Sequence, residues 1–301
     1  MTISGRRLAA VSLAATVTAF AATGGQAGGS NPARDRVLAW EASMIERHVG
    51  ADAAQDFRAN AEIIGGKTAR SGRWPAQVAL LYSDEPDNFL AQFCGGSLIG
   101  RSYVLTAAHC LDALKDESEV EVLTGTQSLD SGGTRHAVET YVIHPDWDPR
   151  TSDYDIGIIK LASPATGLKT NVPISKSKKR RMARPGDLAT VTGWGKVKPS
   201  GNVYAADLQQ VNVPFVSTAT CNARKSYKGE ITSRMLCAGY KKGGRDACSG
   251  DSGGPLVIKK KRRIQAGIVS WGIGCAKKNK YGVYTDVAYF KGWIKRTFNG
   301  L

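Results

Sequence analysis

DACSGDSGGP, residues 246–255, sets Ser252 behind Asp251 and in front of a Gly253–Gly254 pair, with Gly250 two residues upstream and Asp246 six residues upstream. A serine hydroxyl is a weak nucleophile near neutral pH and needs a neighbouring base to take its proton as it attacks. Imidazole has a suitable pKa, and it needs a carboxylate to fix its tautomer and stabilise the imidazolium. Two other stretches offer those groups: TAAHC (106–110) carries His109, and DYDIGIIKL (153–161) carries Asp155. Each piece alone is ambiguous. A histidine after small residues is commonly structural, an aspartate before an apolar run commonly caps a turn, and GDSGG reads equally as a glycine-rich turn. The three together in the order His, Asp, Ser form a far more specific signal, because triad order differs between unrelated scaffolds.

The texture around these stretches is β-type. From Gln77 onward the chain runs as short apolar segments separated by turns, among them QVALLYS, YVLTAAH, VEVLTG, IGIIKLA, LATVTGWG, GPLVI, AGIVSWG and GVYTDV. Many short strands with glycine at their ends predict an all-β sandwich or barrel. FKGWIKRTF (290–298) predicts a short amphipathic helix closing the chain. No internal repeat with a sharp period is visible.

The first sixty residues differ. Arg6 and Arg7 followed by the apolar run Leu8–Phe20 and the A-x-A element Ala19–Ala21 read as a secretory signal, residues 1–21. That run is too short to span a bilayer. Residues 22–31 are rich in Gly, Ala and Ser, and RDRVLAWEASMIERHV (34–49) has apolar residues at helical spacing, so residues 22–62 predict a partly helical leader segment. All six cysteines lie beyond this region, at Cys94, Cys110, Cys221, Cys237, Cys248 and Cys275. An even number in an exported chain predicts disulfides, whose pairing sequence alone leaves open. With no C-x-x-C and four histidines, a zinc site is not expected.

The formal net charge is +15. Acidic and basic residues balance over residues 1–62, so the excess belongs to residues 63–301. Much of it lies in KSKKRR (176–181) and in KKKRR (259–263). Such runs read first as solvated loops or hairpin tips, and second as a source of attraction to polyanions. No helix-turn-helix, zinc-finger or RNP signature points to a specific nucleic-acid reader.

In addition to His109, Asp155 and Ser252, the chain carries IIGG (63–66), GWG (193–195), CAGY (237–240), SWGIGCA (270–276) and GVYTDV (282–287), all in one order. With these it resembles the trypsin branch of the chymotrypsin-like serine proteases over residues 63–301. The resemblance implies two six-stranded antiparallel β-barrels, about 63–170 and 171–285, with a C-terminal helix at about 286–298. It implies the pairings Cys94–Cys110, Cys221–Cys237 and Cys248–Cys275. It makes His109, Asp155 and Ser252 the catalytic triad, and the amides of Gly250 and Ser252 the oxyanion hole. Asp246 becomes the base of the primary pocket, Gly272 and Gly282 its small wall residues, and Ser270, Trp271 and Gly272 the strand that pairs with substrate. The implied substrate is a peptide bond after Arg or Lys. Preference for aromatic residues conflicts with Asp246.

The resemblance also makes Ile63 a beginning. Cleavage of Glu62–Ile63 would free an amino group to pair with Asp251, so that 1–301 reads as a secreted, extracellular preproenzyme, expected to act as a monomer. Family zymogens usually carry Lys or Arg before the cut. A pocket based on Asp246 would repel Glu62, which points to a glutamate-preferring activating protease, or to self-cleavage at Arg58 followed by trimming. Animal relatives bind calcium in a loop after the catalytic histidine. The matching stretch here, GTQSLDSGGTRHAVET (125–140), has Thr126 at the first ligand position and only Asp130 and Glu139 as carboxylates, so no metal or other cofactor is expected. The rival reading is a catalytically silent binding protein on the same scaffold, acting through its basic surface.

Overall fold

A computed structural model of the chain describes residues 65–197 and 204–301. The signal, the leader segment and the Glu62–Ile63 bond lie outside the described residues. Fourteen strands are present among the described residues: β1 (Lys67–Thr68), β2 (Gln77–Tyr82), β3 (Gln92–Leu98), β4 (Tyr103–Thr106), β5 (Val120–Thr124), β6 (Thr134–Ile143), β7 (Gly157–Leu161), β8 (Val172–Pro173), β9 (Leu188–Gly193), β10 (Gln209–Val216), β11 (Met235–Ala238), β12 (Pro255–Lys259), β13 (Arg263–Trp271) and β14 (Gly282–Asp286). The helices are α1 (Asn88–Ala91), α2 (Ala108–Asp112), α3 (Lys176–Met182), α4 (Thr218–Cys221) and α5 (Val287–Gly300), with one 3₁₀ turn at Glu117–Glu119.

The strands close into two six-stranded antiparallel barrels. The first runs β2-β3-β4-β7-β6-β5 and closes through β2–β5. The second runs β9-β10-β11-β14-β13-β12 and closes through β12–β9. Strand for strand the two orders are the same. β1 pairs antiparallel with β10, through Lys67 opposite Gln210, so the segment just after IIGG belongs to the second barrel. β8 adds in parallel to β13.

Burial explains the two strand textures. QVALLY of β2 is buried at every position because one face fills its own barrel and the other approaches β9 of the second. A continuous apolar run is the expected signature of a strand buried on both faces. β10, QQVNVPFV, alternates buried with half-exposed positions, the period-2 pattern of a strand with one wet face.

The run at 259–263 forms a hairpin tip between β12 and β13, with Lys260–Arg262 exposed in the turn. The other basic run corrects the sequence reading: KSKKRR is the body of helix α3, not a loop or hairpin tip. Ser175 supplies the N-cap, its hydroxyl accepting from the Lys178 amide. Lys179 pairs with the largely buried Asp286 at the start of α5, giving the helix a tertiary anchor.

The disulfides are Cys94–Cys110, Cys221–Cys237 and Cys248–Cys275, and no cysteine is free. No helix among the described residues is long and apolar enough to cross a membrane.

Candidate active site

The two barrels meet along a line of buried polar contacts. The Ser97 hydroxyl donates to Gln265 Oε1 at 2.7 Å, and the Thr192 hydroxyl donates to Gln77 Oε1 at 2.6 Å. The Gly95 amide of β3 donates to the Ser252 carbonyl at 2.7 Å. The loop carrying Ser252, rooted in the second barrel, is thereby tied to the wall of the first.

His109 is in helix α2, immediately after β4, and is 3% exposed. Its ring lies beside the Cys94–Cys110 bridge. Those three residues have ligand-type atoms within 4.8 Å of one another, but both sulfurs are spent in the disulfide and offer no thiolate to a metal. Asp155, 1% exposed, lies just before β7. Its Oδ2 is 2.9 Å from His109 Nδ1, and its Oδ1 accepts from the His109 backbone amide at 3.0 Å. Both carboxylate oxygens thus hold the same residue, fixing ring and backbone together. Across the cleft the Ser270 hydroxyl donates to Oδ2 at 2.5 Å, and the Thr285 hydroxyl donates to the Asp155 carbonyl at 2.5 Å. The sequence reading assigned Ser270 only to substrate pairing; its side chain also steadies Asp155. Its position inside SWGIGCA was the available signal.

Glycines set the position of Ser252. A Cβ on Gly253 (φ +79°) would lie 2.2 Å from Thr106 Oγ1 and 2.4 Å from the Gly95 carbonyl oxygen. Only glycine lets this loop press against the TAAHC segment, three residues from His109. Gly250 has φ +92°, and its carbonyl accepts from Gln92 Nε2 at 2.9 Å. Gln92 is fully buried and went unrecognised in the sequence, where its only cue is its place two residues before Cys94.

Asp251 is fully buried. Its Oδ1 accepts from the Gly195 amide at 3.0 Å and its Oδ2 from the Cys248 amide at 2.9 Å. A Cβ on Gly193 or Gly195 would run into this carboxylate, so the two glycines of GWG are the floor on which Asp251 rests. Gly65, of IIGG, packs against Gly244 and Arg245 at a distance no side chain at position 65 could tolerate.

Asp246, 3% exposed, receives the amides of Ala247 at 2.9 Å and Ala276 at 3.3 Å. Burial pushes its carboxyl up to about 8. A Cβ on Gly282 would lie 2.5 Å from its Oδ1, whereas a Cβ on Gly272 would meet nothing closer than 3.7 Å. Around it stand Tyr227 and Tyr284, whose hydroxyls burial and the Asp246 charge push up. Tyr227 donates to the Tyr281 carbonyl at 2.5 Å and packs edge-on against Trp271. The Cys248–Cys275 bridge joins the two segments that supply these amides.

In the 125–140 stretch, Glu139 pairs with Lys160 at 2.7 Å, and the Thr126 hydroxyl bonds to the carbonyls of Ser128 and Ser131.

Residues 63–294 match the Trypsin family model. The chain is 41% identical to trypsin of Sus scrofa over 239 residues, covering 78% of this chain and 95% of that protein. It is 40% identical to the anionic trypsin of Canis lupus familiaris over 257 residues, covering 84% and 96% of the two chains. With the cationic trypsin-3 of Rattus norvegicus it shares 41% identity over 239 residues, 78% and 89% of the two. Two closed barrels, a buried His–Asp pair with Ser252 at their junction, and this breadth of similarity have one reading: the chain belongs to the trypsin family of serine proteases.

Proposed function

We propose that this serine protease is a secreted endopeptidase, made as a zymogen, that cleaves peptide bonds after Arg or Lys. The observation that carries the specificity is Asp246. It is a buried carboxylate that takes two backbone amides and, among the described residues, no cation. An uncompensated buried charge is costly, and a substrate side chain bearing a guanidinium or ammonium relieves it.

In the proposed mechanism Ser252 Oγ attacks the scissile carbonyl carbon while His109 takes its proton. Asp155, held by Ser270, keeps the imidazole oriented through Nδ1 and stabilises its positive charge. The carbonyl electrons move onto oxygen, where the Gly250 and Ser252 amides stabilise them. His109 then gives the proton to the departing amine, leaving an acyl-enzyme on Ser252. Water repeats the sequence, losing its proton to His109, and releases the acid.

The zymogen reading rests on Asp251. Its carboxylate accepts from the amides of Gly195 and Cys248. By the family resemblance, a new ammonium group at Ile63 would pair with this carboxylate beside the Gly250–Ser252 segment, and Gly65 lies against the neighbouring Gly244–Arg245 turn.

The test expresses residues 22–301 and assays matched peptides with Arg, Lys, Phe or Glu before the scissile bond. Each is assayed before and after a glutamate-specific protease, with the new N-terminus read by mass spectrometry. Silence before the cut and Arg/Lys hydrolysis after it are expected. Rapid, clean self-cleavage at Ile63 would overturn the separate-activator step. No hydrolysis despite an Ile63 terminus would bring the silent-binder reading forward.

A further inference from the structure

The strand after IIGG borders two connected hollows on the second barrel. One, of about 450 Å³, is lined by Lys67, Thr68, Arg70, Arg73 and Gln210. The other, of about 310 Å³, shares Lys67 and Gln210 and ends at Arg245. Among the described residues, no carboxylate lines either. Among the described residues, none of Lys67, Arg70, Arg73, Arg245, Lys259 and Arg263 has an ion-pair partner.

Three of these cations, Arg73, Lys259 and Arg263, are held close together against their own repulsion. The guanidinium groups of Arg73 and Arg263 lie 5.8 and 5.6 Å from the centre of the Trp74 ring. Arg263 also donates to the Arg73 carbonyl, and its Nε is buried with no hydrogen-bond partner among the described residues. Burial and the Arg73 charge push Arg263 down, and burial with the charges of Arg73 and Arg263 does the same to Lys259. Trp74 Nε1 donates to Gln210 Oε1 at 2.8 Å, which leaves the Gln210 amide nitrogen as a further donor in the lining. The exposed tip Lys260–Arg262 extends the positive field beyond the hollows.

A surface of this kind takes anionic groups at several points. Two kinds of polyanion divide on one feature. Single-stranded nucleic acid adds stacking of its bases on aromatic rings to its phosphate contacts, and among the described residues no aromatic side chain lines either hollow: Trp74 is 6% exposed and lies beside the two arginines. Sulfate esters on a sugar chain require only donors and positive charge, and guanidinium groups meet tetrahedral oxyanions with paired hydrogen bonds.

We propose that the groove formed by Lys67, Arg70, Arg73, Gln210 and the Lys259–Arg263 hairpin binds a linear sulfated polysaccharide at a site separate from the catalytic cleft. It is a built site and not the general consequence of a net charge of +15. Helix α3, which carries the other basic run, is no part of it.

The test uses the full chain carrying Ser252→Ala, so that proteolysis cannot intervene. The probes are labelled sulfated dextran, uncharged dextran of equal length, and single-stranded oligothymidine, each titrated at several salt concentrations. The groove variant Lys67→Ser/Arg70→Ser/Lys259→Ser changes three exposed side chains. The control, Lys178→Ser/Lys291→Ser/Lys295→Ser, removes the same charge from α3 and α5. The groove variant is expected to bind sulfated dextran about tenfold or more weaker, with the slope of log affinity against log salt falling by about 2–3. The control should stay within about threefold, and Arg70→Glu alone should shift in the same direction as the groove variant. Uncharged dextran should not bind. Equal losses in both triple variants would overturn the proposal in favour of diffuse attraction. Oligothymidine binding as tightly as sulfated dextran would overturn it in favour of nucleic acid, and no binding at about 0.15 M salt would overturn it outright.

Discussion

Asp246 shows how much one side chain takes from its surroundings. The same residue in a loop would be ionised at neutral pH; burial here moves its proton affinity up to about 8. Because its folded value lies above its unfolded one, the folded chain binds the proton more tightly. The free enzyme should therefore lose stability as pH rises from about 4 through about 8. On the proposed role of Asp246 as the base of an Arg/Lys pocket, an arylamidine ligand requires the ionised form, so its binding has the opposite dependence. Benzamidine affinity should weaken by more than about tenfold between pH 8 and pH 6, with a proton released on binding near neutral pH. Calorimetry in two buffers of different ionisation heat reads that proton, and Asp246→Asn should abolish both the release and the pH dependence. A flat profile in the parent would mean that bound water keeps the carboxylate ionised. Asp246 is singled out through the family resemblance, which its local spacing, six residues before Ser252, makes easy to match. The tyrosines that surround it come from segments tens of residues away and bear no mark in the sequence.

Among the elements, α5 carries a hidden dependence on pH. Its Phe290 and Trp293 pack against His144, which follows β6, with ring centres 5.3 and 5.0 Å away, and Tyr154 closes the group at 4.8 Å. Burial holds His144 below its usual value; Asp146, whose amide donates to Nδ1, opposes this, and Arg296 reinforces it. A histidine kept neutral in the fold is protonated first in the unfolded chain. Its contribution is thus present above the unfolded value of about 6.5 and lost as pH falls below it. Hydrogen exchange over residues 287–300, corrected for intrinsic rates, should accelerate from pH 7 to pH 5, and His144→Phe should blunt that change. Equal acceleration in the variant would place the acid sensitivity elsewhere. The helix itself was legible from FKGWIKRTF. Helix α3 was not, because KSKKRR has no apolar face and is stabilised by the Ser175 cap and by Lys179 reaching Asp286, a partner over a hundred positions along the chain. Runs such as QVALLY were readable as strands, but the way they close was not: the two barrels repeat one topology with no repeat in the sequence, since a barrel constrains burial and strand length far more than identity.

At the scale of the molecule, function depends on how two separately closed barrels are held in register. In the proposed mechanism His109 and Asp155 come from one and Ser252 from the other, so any slip between them would change the catalytic geometry. Thr192–Gln77 and Ser97–Gln265 are buried hydrogen bonds across this junction. Removing one partner of such a pair strands the other and costs about 1–3 kcal/mol, whereas replacing both with apolar groups of similar shape can be nearly neutral. Gln77→Leu alone should therefore destabilise the protein by about that amount in denaturant unfolding, and Gln77→Leu/Thr192→Val should recover part of the loss, giving a measurable coupling between the sites. The activated enzyme separates alignment from mere stability. If the pair only adds stability, the single variant should keep its turnover number well below its melting point. If it also sets the register, the turnover number should fall in Gln77→Leu with little change in KM, since the Asp246 pocket lies wholly within the second barrel. Partial recovery in the double variant would follow the restored packing. A fall in KM-linked binding with turnover intact would overturn the register argument, because the pocket rather than the alignment of Ser252 with His109 would then have moved.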